Sequence, residues 1–128
     1  MTRRLRSDDV FPMVAYQGED LKPVNQLLHD LCLDLPDYDY QAENGVARFT
    51  LTDQDMIVKR DWVSEFRLSV FDVTAYEYEE DSKDTPTPVT FNKVTFHDRI
   101  NELVIHCAEG VRLKFRVGAL HVEVEHIA

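Results

Sequence analysis

The sequence predicts an α+β fold, in which a mostly antiparallel sheet of about six to eight strands packs against one amphipathic helix near the N-terminus. Two observations support this prediction. Apolar residues recur at three- and four-residue steps only between positions 21 and 35, and much of the remaining chain alternates with a period of two. A β-sandwich or an open barrel carrying one helix is the alternative. The 128 residues fit a single domain, residues 1–128, which buries about two-thirds of its unfolded surface.

The chain is acidic, with a net charge of −10. A field of this sign repels phosphate backbones and anionic lipid surfaces, so we expect neither nucleic acid nor a membrane as a partner. No apolar run approaches the roughly 18 residues of a membrane helix. Ser7, Asp8 and Asp9 stand where the apolar part of a signal peptide would begin. We therefore expect a cytoplasmic protein, with residues 1–7 as a flexible basic arm.

The first strand is predicted at residues 10–16, where Pro12 lacks an amide donor and confines the strand to an edge or a bulge. The helix follows between Asp20, which caps its first turn, and Asp34. Pro36 disfavours helical geometry at the residue before it, and so predicts the helix end. The apolar stripe of this helix consists of Leu21, Val24, Leu28, Leu31, Cys32 and Leu35.

A hairpin is predicted at Asn44-Gly45, because a two-residue type I′ turn needs positive φ at both central positions. This turn sets Ala42 against Ala47, Tyr40 against Phe49 and Tyr38 against Leu51. Residues 56–63 predict a further strand. A long run from 66 to 78 changes the phase of its alternation near Val70-Phe71, which indicates a bulge or coverage of both faces. Residues 77–88 predict an exposed acidic loop, and a strand follows at 89–96.

The stretch VRLKFRVGALHVEVE, residues 111–125, places three cations on one side of an alternating run. A type II′ turn at Gly118-Ala119 would set Lys114 against Glu123 and Arg112 against Glu125. A three-residue turn at 108–110 would set Glu102 against Arg116. We interpret the cations as a face neutralised within its own sheet. The alternative is one long strand with a bulge at Gly118, which would leave the cations free for an anionic ligand.

The motifs of common enzymes are absent from the sequence. No glycine-rich phosphate loop, GxSxG, HExxH or CxxC spacing occurs, so we expect no catalytic residue, no cofactor and no metal. His106 and His121 are predicted on one outward face beside the cations, as solvated histidines. Cys107 is predicted to face the core, where its thiol is inert, and both cysteines are expected to stay reduced.

The sequence favours a non-catalytic cytoplasmic protein-binding module, of the inhibitor or immunity type, whose acidic surface engages a basic partner. The predicted contact residues combine carboxylates with large aromatic side chains, namely Glu77, Glu79, Glu80, Asp81, Asp84, Tyr78 and Trp62. The competing hypothesis is a small-ligand-binding protein or an enzyme with a pocket between sheet and helix, using His97, Asp98 or Glu102. Self-association through a sheet edge as a homodimer is a third alternative.

Overall fold

The computed structural model describes residues 11–33, 39–41, 45–52, 65–81 and 89–127. Within these residues the chain forms one α-helix, preceded by a short 3-10 helix at Gly18–Asp20, and ten strands. They are β1 Met13–Ala15, α1 Leu21–Leu28, β2 Cys32–Leu33, β3 Asp39–Gln41, β4 Val46–Thr52, β5 Glu65–Val70, β6 Val73–Glu80, β7 Val89–His97, β8 Glu102–Cys107, β9 Val111–Val117 and β10 Val122–His126. This confirms the α+β class with one helix. The strand count exceeds the expected six to eight because β1, β2 and β3 are only two or three residues long.

All strand pairs in the described chain are antiparallel, in the order β1-β10-β5-β4-β2-β7-β8-β9-β6, with β3 beside β4. Strands β1 and β6 are the two edges, so the sheet is open rather than a closed barrel. The position of β1 fits Pro12, which precedes it and lacks the amide that an inner strand would need. The predicted strand at 56–63 lies outside the described residues.

The core lies where the sheet folds over on itself. Three strands separate β4 from β9 in the sheet, yet Phe49 of β4 and Phe115 of β9 meet edge to face, with ring centroids 5.8 Å apart. One half of the sheet, β1-β10-β5-β4 with β3 and β2, therefore packs its apolar face on the other half, β7-β8-β9-β6. The largest fully buried side chains come from both halves and from the helix, including Leu28, Phe49, Leu68, Phe91, Ile105 and Phe115.

The chain crosses between the two halves at one corner. The Phe71 amide donates to the His121 carbonyl (2.9 Å), and the Gly118 amide donates to the Asp72 carbonyl (3.0 Å). The phase change near Val70 is therefore a crossing with Asp72 at a φ of 58°, and not a bulge at that point. A Cβ at Gly118 would lie 2.5 Å from Asp72 Oδ2, so a larger residue there would have to displace the Asp72 side chain.

This corner contradicts both predicted geometries for residues 111–125. The expected turn at Gly118-Ala119 would pair β9 with β10, whereas β9 lies between β8 and β6 and β10 lies between β1 and β5. The alternative of one long bulged strand is also wrong, because residues 118–121 carry the chain into the other half of the sheet. The three-residue turn at 108–110 is confirmed, with Leu103 opposite Phe115 and Glu102 opposite Arg116.

The helix ends at Leu28, six residues before the predicted end at Asp34. Asp30 adopts a φ of 70° and donates its amide to the Phe91 carbonyl (2.9 Å), and the Phe91 amide donates to the Leu31 carbonyl (2.8 Å). Residues 31–33 therefore enter the sheet as β2. Leu31, which extended the helical stripe in the sequence, is buried by the sheet instead, together with Leu33 of β2.

The register of the β3–β4 hairpin also differs from the prediction. Tyr40 pairs with Ala47 and not with Phe49, and Gln41 pairs with Val46. Gly45 has the expected positive φ, 65°, but its carbonyl also accepts the Val73 amide (2.7 Å), which ties the loop to the start of β6. The predicted pairs of Tyr38 and Ala42 lie outside the described residues.

The side chain of Asn25 takes the place of a strand beside β7. Its Nδ2 donates to the Val94 carbonyl (3.0 Å) and its Oδ1 accepts the Val94 amide (2.6 Å). Strand β2 and the two residues before it pair with β7 only from Val89 to Phe91, so the rest of that side of β7 needs another partner. The helix supplies it, and this docking fixes α1 along β7.

Replacing Asn25 by alanine should destabilise the fold by about 1–3 kcal/mol, because both hydrogen-bonding groups of Val94 lose their partner. Asn25→Asp keeps the acceptor and loses the donor, so its free energy of unfolding should lie between those of wild type and Asn25→Ala. Urea unfolding measures the difference. Gln26→Ala, at an exposed neighbouring position of the same helix, is the control and should change stability by less than about 0.5 kcal/mol. Equal effects of Asn25→Ala and Gln26→Ala would contradict the role assigned to Asn25.

Candidate interaction surface on strand β6

The acidic segment predicted as a loop over residues 77–88 begins as part of an edge strand. Glu77, Tyr78, Glu79 and Glu80 belong to β6, and Asp81 follows directly. The loop prediction is therefore wrong for residues 77–80. Asp84 and Trp62, the remaining predicted contact residues, lie outside the described residues.

Strand β6 supplies the acids that neutralise two of the three cations on β9. Arg112 Nε lies 3.2 Å from Glu79 Oε1, and Arg112 Nη2 lies 2.9 Å from Asp81 Oδ1. Lys114 Nζ lies 2.9 Å from Glu79 Oε2. The interpretation of the cations as part of a self-neutralised face is therefore right for Arg112 and Lys114, but their expected partners on β10 are wrong.

The register explains these contacts and shows where the third cation lies. Glu79 is opposite Arg112 and Glu77 is opposite Lys114 in the β6–β9 ladder. Arg116 has Ala75 on one side and, as predicted, Glu102 of β8 on the other. Tyrosines and glutamates alternate along β6, which is the pattern of a strand. The high charge of the segment led to the prediction of a loop instead.

The ion pairs shift the titration of the groups that make them. Hydrogen bonds from Lys114 and then from Arg112 lower the pKa of Glu79, and Arg112 lowers the pKa of Asp81. In return, the hydrogen bonds to Asp81 and Glu79 raise the pKa of Arg112, and the hydrogen bond to Glu79 raises the pKa of Lys114. Glu79, Arg112 and Lys114 are half-buried and Asp81 is exposed, so water and salt still screen these pairs, and they fix register more than they add stability.

The opposite face of β6 is aromatic. Tyr76 is half-buried and stacks on Phe115 of the core, with ring centroids 5.0 Å apart. Burial, and then the neighbouring Tyr78, raise the pKa of Tyr76 to about 12. Tyr78 is 40 % exposed, and its hydroxyl donates to Glu80 Oε2 (3.0 Å). A ring that is both exposed and held by a hydrogen bond offers a partner contact area at low cost in conformational entropy.

The backbone of β6 has one paired and one open side. The Asp81 amide donates to the Gly110 carbonyl (3.1 Å), toward β9. Because alternate residues of an antiparallel strand bond to the same neighbour, Glu79 shares this direction, whereas the amide and carbonyl groups of Tyr78 and Glu80 point away from β9. In the part of the chain that the structure describes, β9 is the only strand that pairs with β6.

The histidines do not form the shared outward face that the sequence predicted. His106 lies opposite Arg112, with its Nε2 3.0 Å from the Thr95 hydroxyl, and burial followed by Lys93 and Arg112 lowers its pKa. His121 lies at the corner between the halves, and its Nε2 is 2.8 Å from Glu123 Oε2. Its ring stacks on those of Tyr16 and Phe71, with centroids 4.9 and 4.4 Å away.

The described ranges show where the residues considered for metal binding or catalysis lie. No three His, Cys, Asp or Glu side chains there are placed to hold a metal ion. His97 and Glu102 are register partners near the turn that contains Asp98, and all three lie at the surface. Cys107 is buried as predicted, and burial followed by Glu109 raises its pKa to about 12. Both Cys107 and Cys32 are free thiols.

A groove of about 810 Å³ runs between α1 and β7. Its floor is largely apolar, and the Asn25–Val94 hydrogen bonds lie along it. Polar side chains from both elements surround this floor, and sequence periodicity gave no sign of their convergence. The lining includes Glu19, Leu21, Lys22, His29, Val94 and Phe96.

Comparison with known proteins assigns this chain to no family, because no family model, no curated protein and no solved structure matches it. Among the described residues, no helix has the length and apolar character needed to cross a membrane.

Glu79→Gln should flatten the acid side of the stability profile. The pKa of Glu79 is lowered in the folded state, so its contribution is fully present above the ordinary carboxyl pKa of about 4 and is lost as the pH falls through the lower folded value. Urea unfolding between neutral and strongly acidic pH measures this. Glu125→Gln, at an exposed position on β10, should keep the wild-type slope. Parallel curves for Glu79→Gln and wild type would contradict the prediction.

Proposed function

We propose that this protein is a non-catalytic protein-binding module, of the inhibitor or immunity type, that engages a basic surface of a partner protein through β6. The observation that carries the proposal is an excess of carboxylates at an exposed edge. Glu77, Glu79 and Asp81 share one face of this segment, and only Arg112 and Lys114 offset them from β9. Glu80 adds a further exposed carboxylate on the other face.

Two further features support a protein partner. Tyr78 stands between Glu77 and Glu79 in the strand and presents an exposed ring on the opposite face, and amphipathic aromatic side chains are favoured at interface centres. The net charge of −10 steers a basic partner toward the molecule and repels nucleic acid. Asp84 and Trp62 are included among the proposed contact residues on the basis of the sequence alone. The same proposal places the protein in the cytoplasm, where free thiols such as Cys32 and Cys107 stay reduced.

The groove between α1 and β7 supports a second candidate function, binding of a small ligand. Its volume lies within the range of about 300–1,000 Å³ that is typical of ligand sites, and its floor is apolar with polar groups at the margin. The competing hypothesis from the sequence, a pocket between sheet and helix, fits this location. The residues named for it do not, since the groove is lined by Lys22, Asn25 and His29 rather than by His97, Asp98 or Glu102.

The proposed binding function is tested by affinity capture from the native lysate with the wild-type protein and with Glu77→Gln/Glu80→Gln. Wild type should retain a basic protein at near-stoichiometric amounts. The double variant should lose most of it, and about 0.5 M salt should release it, because the attraction between exposed charges is screened.

Asp98→Asn/Glu125→Gln is the matched control, because it removes the same number of charges from exposed positions outside β6. This variant should capture the partner as wild type does. Equal loss in both variants would mean that net charge alone drives the capture, and capture of no stoichiometric protein would argue against the binding function.

Ligand binding in the groove is tested with a fragment library screened by ligand-observed NMR. Gln26 lines the groove from an exposed position of α1, so Gln26→Trp should fill the groove without disturbing the core and should abolish binding of the groove fragments. Arg99→Trp, in the exposed turn after β7, is the control and should leave them bound. Fragments that bind both variants equally well would exclude the groove.

A further inference from the structure

The open side of β6 has hydrogen-bonding groups that match another strand. The amides and carbonyls of Tyr78 and Glu80 point away from β9, and the structure describes no strand on that side. An exposed row of unpaired amides and carbonyls is a template for an added strand. These groups bond to water in the free protein and can bond to the backbone of the added strand instead.

We propose that this edge binds an extended basic segment of a partner protein, which joins the sheet as a further strand beside β6. The inference rests on the proposed function and specifies it, since it defines the conformation of the partner and the backbone groups that hold it. The binding mode is strand addition, in which main-chain hydrogen bonds give affinity and alternate side chains give specificity.

Strand β9 shows which side chains suit a neighbour of β6. It places Arg112 and Lys114 two residues apart on one face, and Glu79 receives both of them, at 3.2 and 2.9 Å. Glu77 lies opposite Lys114 in register and attracts it, but the close ion pair of Lys114 is made with Glu79 instead. A partner strand with a lysine or arginine at every second position would place its cations on the same face and supply a charge for Glu77.

A second copy of this chain fits the edge less well. Pairing two β6 strands would bring the carboxylates of one copy against those of the other, and like charges on facing strands are destabilising. The homodimer considered from the sequence therefore lacks the complementarity that a basic strand has. On the other face of the edge the Glu80 carboxylate already accepts the Tyr78 hydroxyl, and the exposed ring of Tyr78 can contact the uncharged alternate residues of such a strand.

The test uses a synthetic seven-residue peptide in which arginine and lysine alternate with threonine, labelled for fluorescence anisotropy. It should bind the wild-type protein at least tenfold more tightly than a peptide of the same composition with its cations in one block. N-methylation of the alternate amides that face the edge should reduce affinity at least tenfold. N-methylation of the amides that face away is the control, and should leave affinity within about twofold.

Variants of the protein test the same edge from the other side. Tyr78→Pro removes an amide that points away from β9, so the β6–β9 ladder stays intact while the edge loses a donor. It should lose peptide binding, and by more than Tyr78→Ala does, because Tyr78→Ala removes the ring contact but keeps the amide. Far-ultraviolet circular dichroism and urea unfolding report whether Tyr78→Pro folds, and the N-methylated peptides test the inference on wild type if it does not.

The outcomes separate strand addition from the broader binding function. If both peptide patterns and both N-methylated sets bind alike, while Glu77→Gln/Glu80→Gln still loses the captured partner, strand addition is wrong and the binding module remains. If no basic peptide binds and no partner is captured, both are wrong. A dimer in sedimentation equilibrium that Tyr78→Pro dissociates would assign the edge to a second copy and overturn the inference.

Discussion

The structure depends on one corner, at which two chain crossings are hydrogen-bonded to each other. The Phe71 amide bonds to the His121 carbonyl and the Gly118 amide bonds to the Asp72 carbonyl, at 2.9 and 3.0 Å. Each crossing carries the chain from one half of the folded sheet to the other. As a result β6 becomes the neighbour of β9, and β10 becomes the neighbour of β5. The charge contacts between β6 and β9 follow from this exchange.

The exchange also sets the electrostatics of the candidate surface. If β9 and β10 formed a hairpin, the carboxylates of β6 would have no cations beside them. In the observed arrangement Arg112 and Lys114 are held within the sheet by Glu79 and Asp81, so they are not available to an anionic ligand. What remains exposed at this edge is a smaller surplus of negative charge, together with the Tyr78 ring and open backbone groups. That combination favours a protein partner over phosphate.

The two candidate sites lie at opposite margins of the same half of the sheet. Strand β7 has an incomplete margin because β2 is short, and α1 covers it through Asn25, which leaves the groove beside the helix. Strand β6 is the other margin, and the charges of Glu77 and Glu80 oppose its pairing with a second copy. Both sites thus arise from the same physical problem, the pairing of backbone groups at a strand that lacks a full neighbour.

The sequence by itself determined the features that depend on neighbouring residues. These are the α+β class, the edge position of the strand after Pro12, the positive φ of Gly45 and the β8–β9 hairpin, in which Glu102 faces Arg116 as its turn length requires. Each follows from local backbone chemistry. The predicted acidic contact residues on β6 lie at the surface, but the sequence did not show that two of them are bound to Arg112 and Lys114.

Only the tertiary structure decided which strand lies beside β9, where the helix ends and which side chains line the groove. Glu77 and Glu79 of β6 have the same two-residue spacing as Glu123 and Glu125 of β10, so the charge pattern fits either neighbour. The leucines at 31 and 33 suit a helix or a strand until Phe91 pairs with Leu31. Such choices depend on contacts between residues far apart in the chain, and local periodicity carries no information about them.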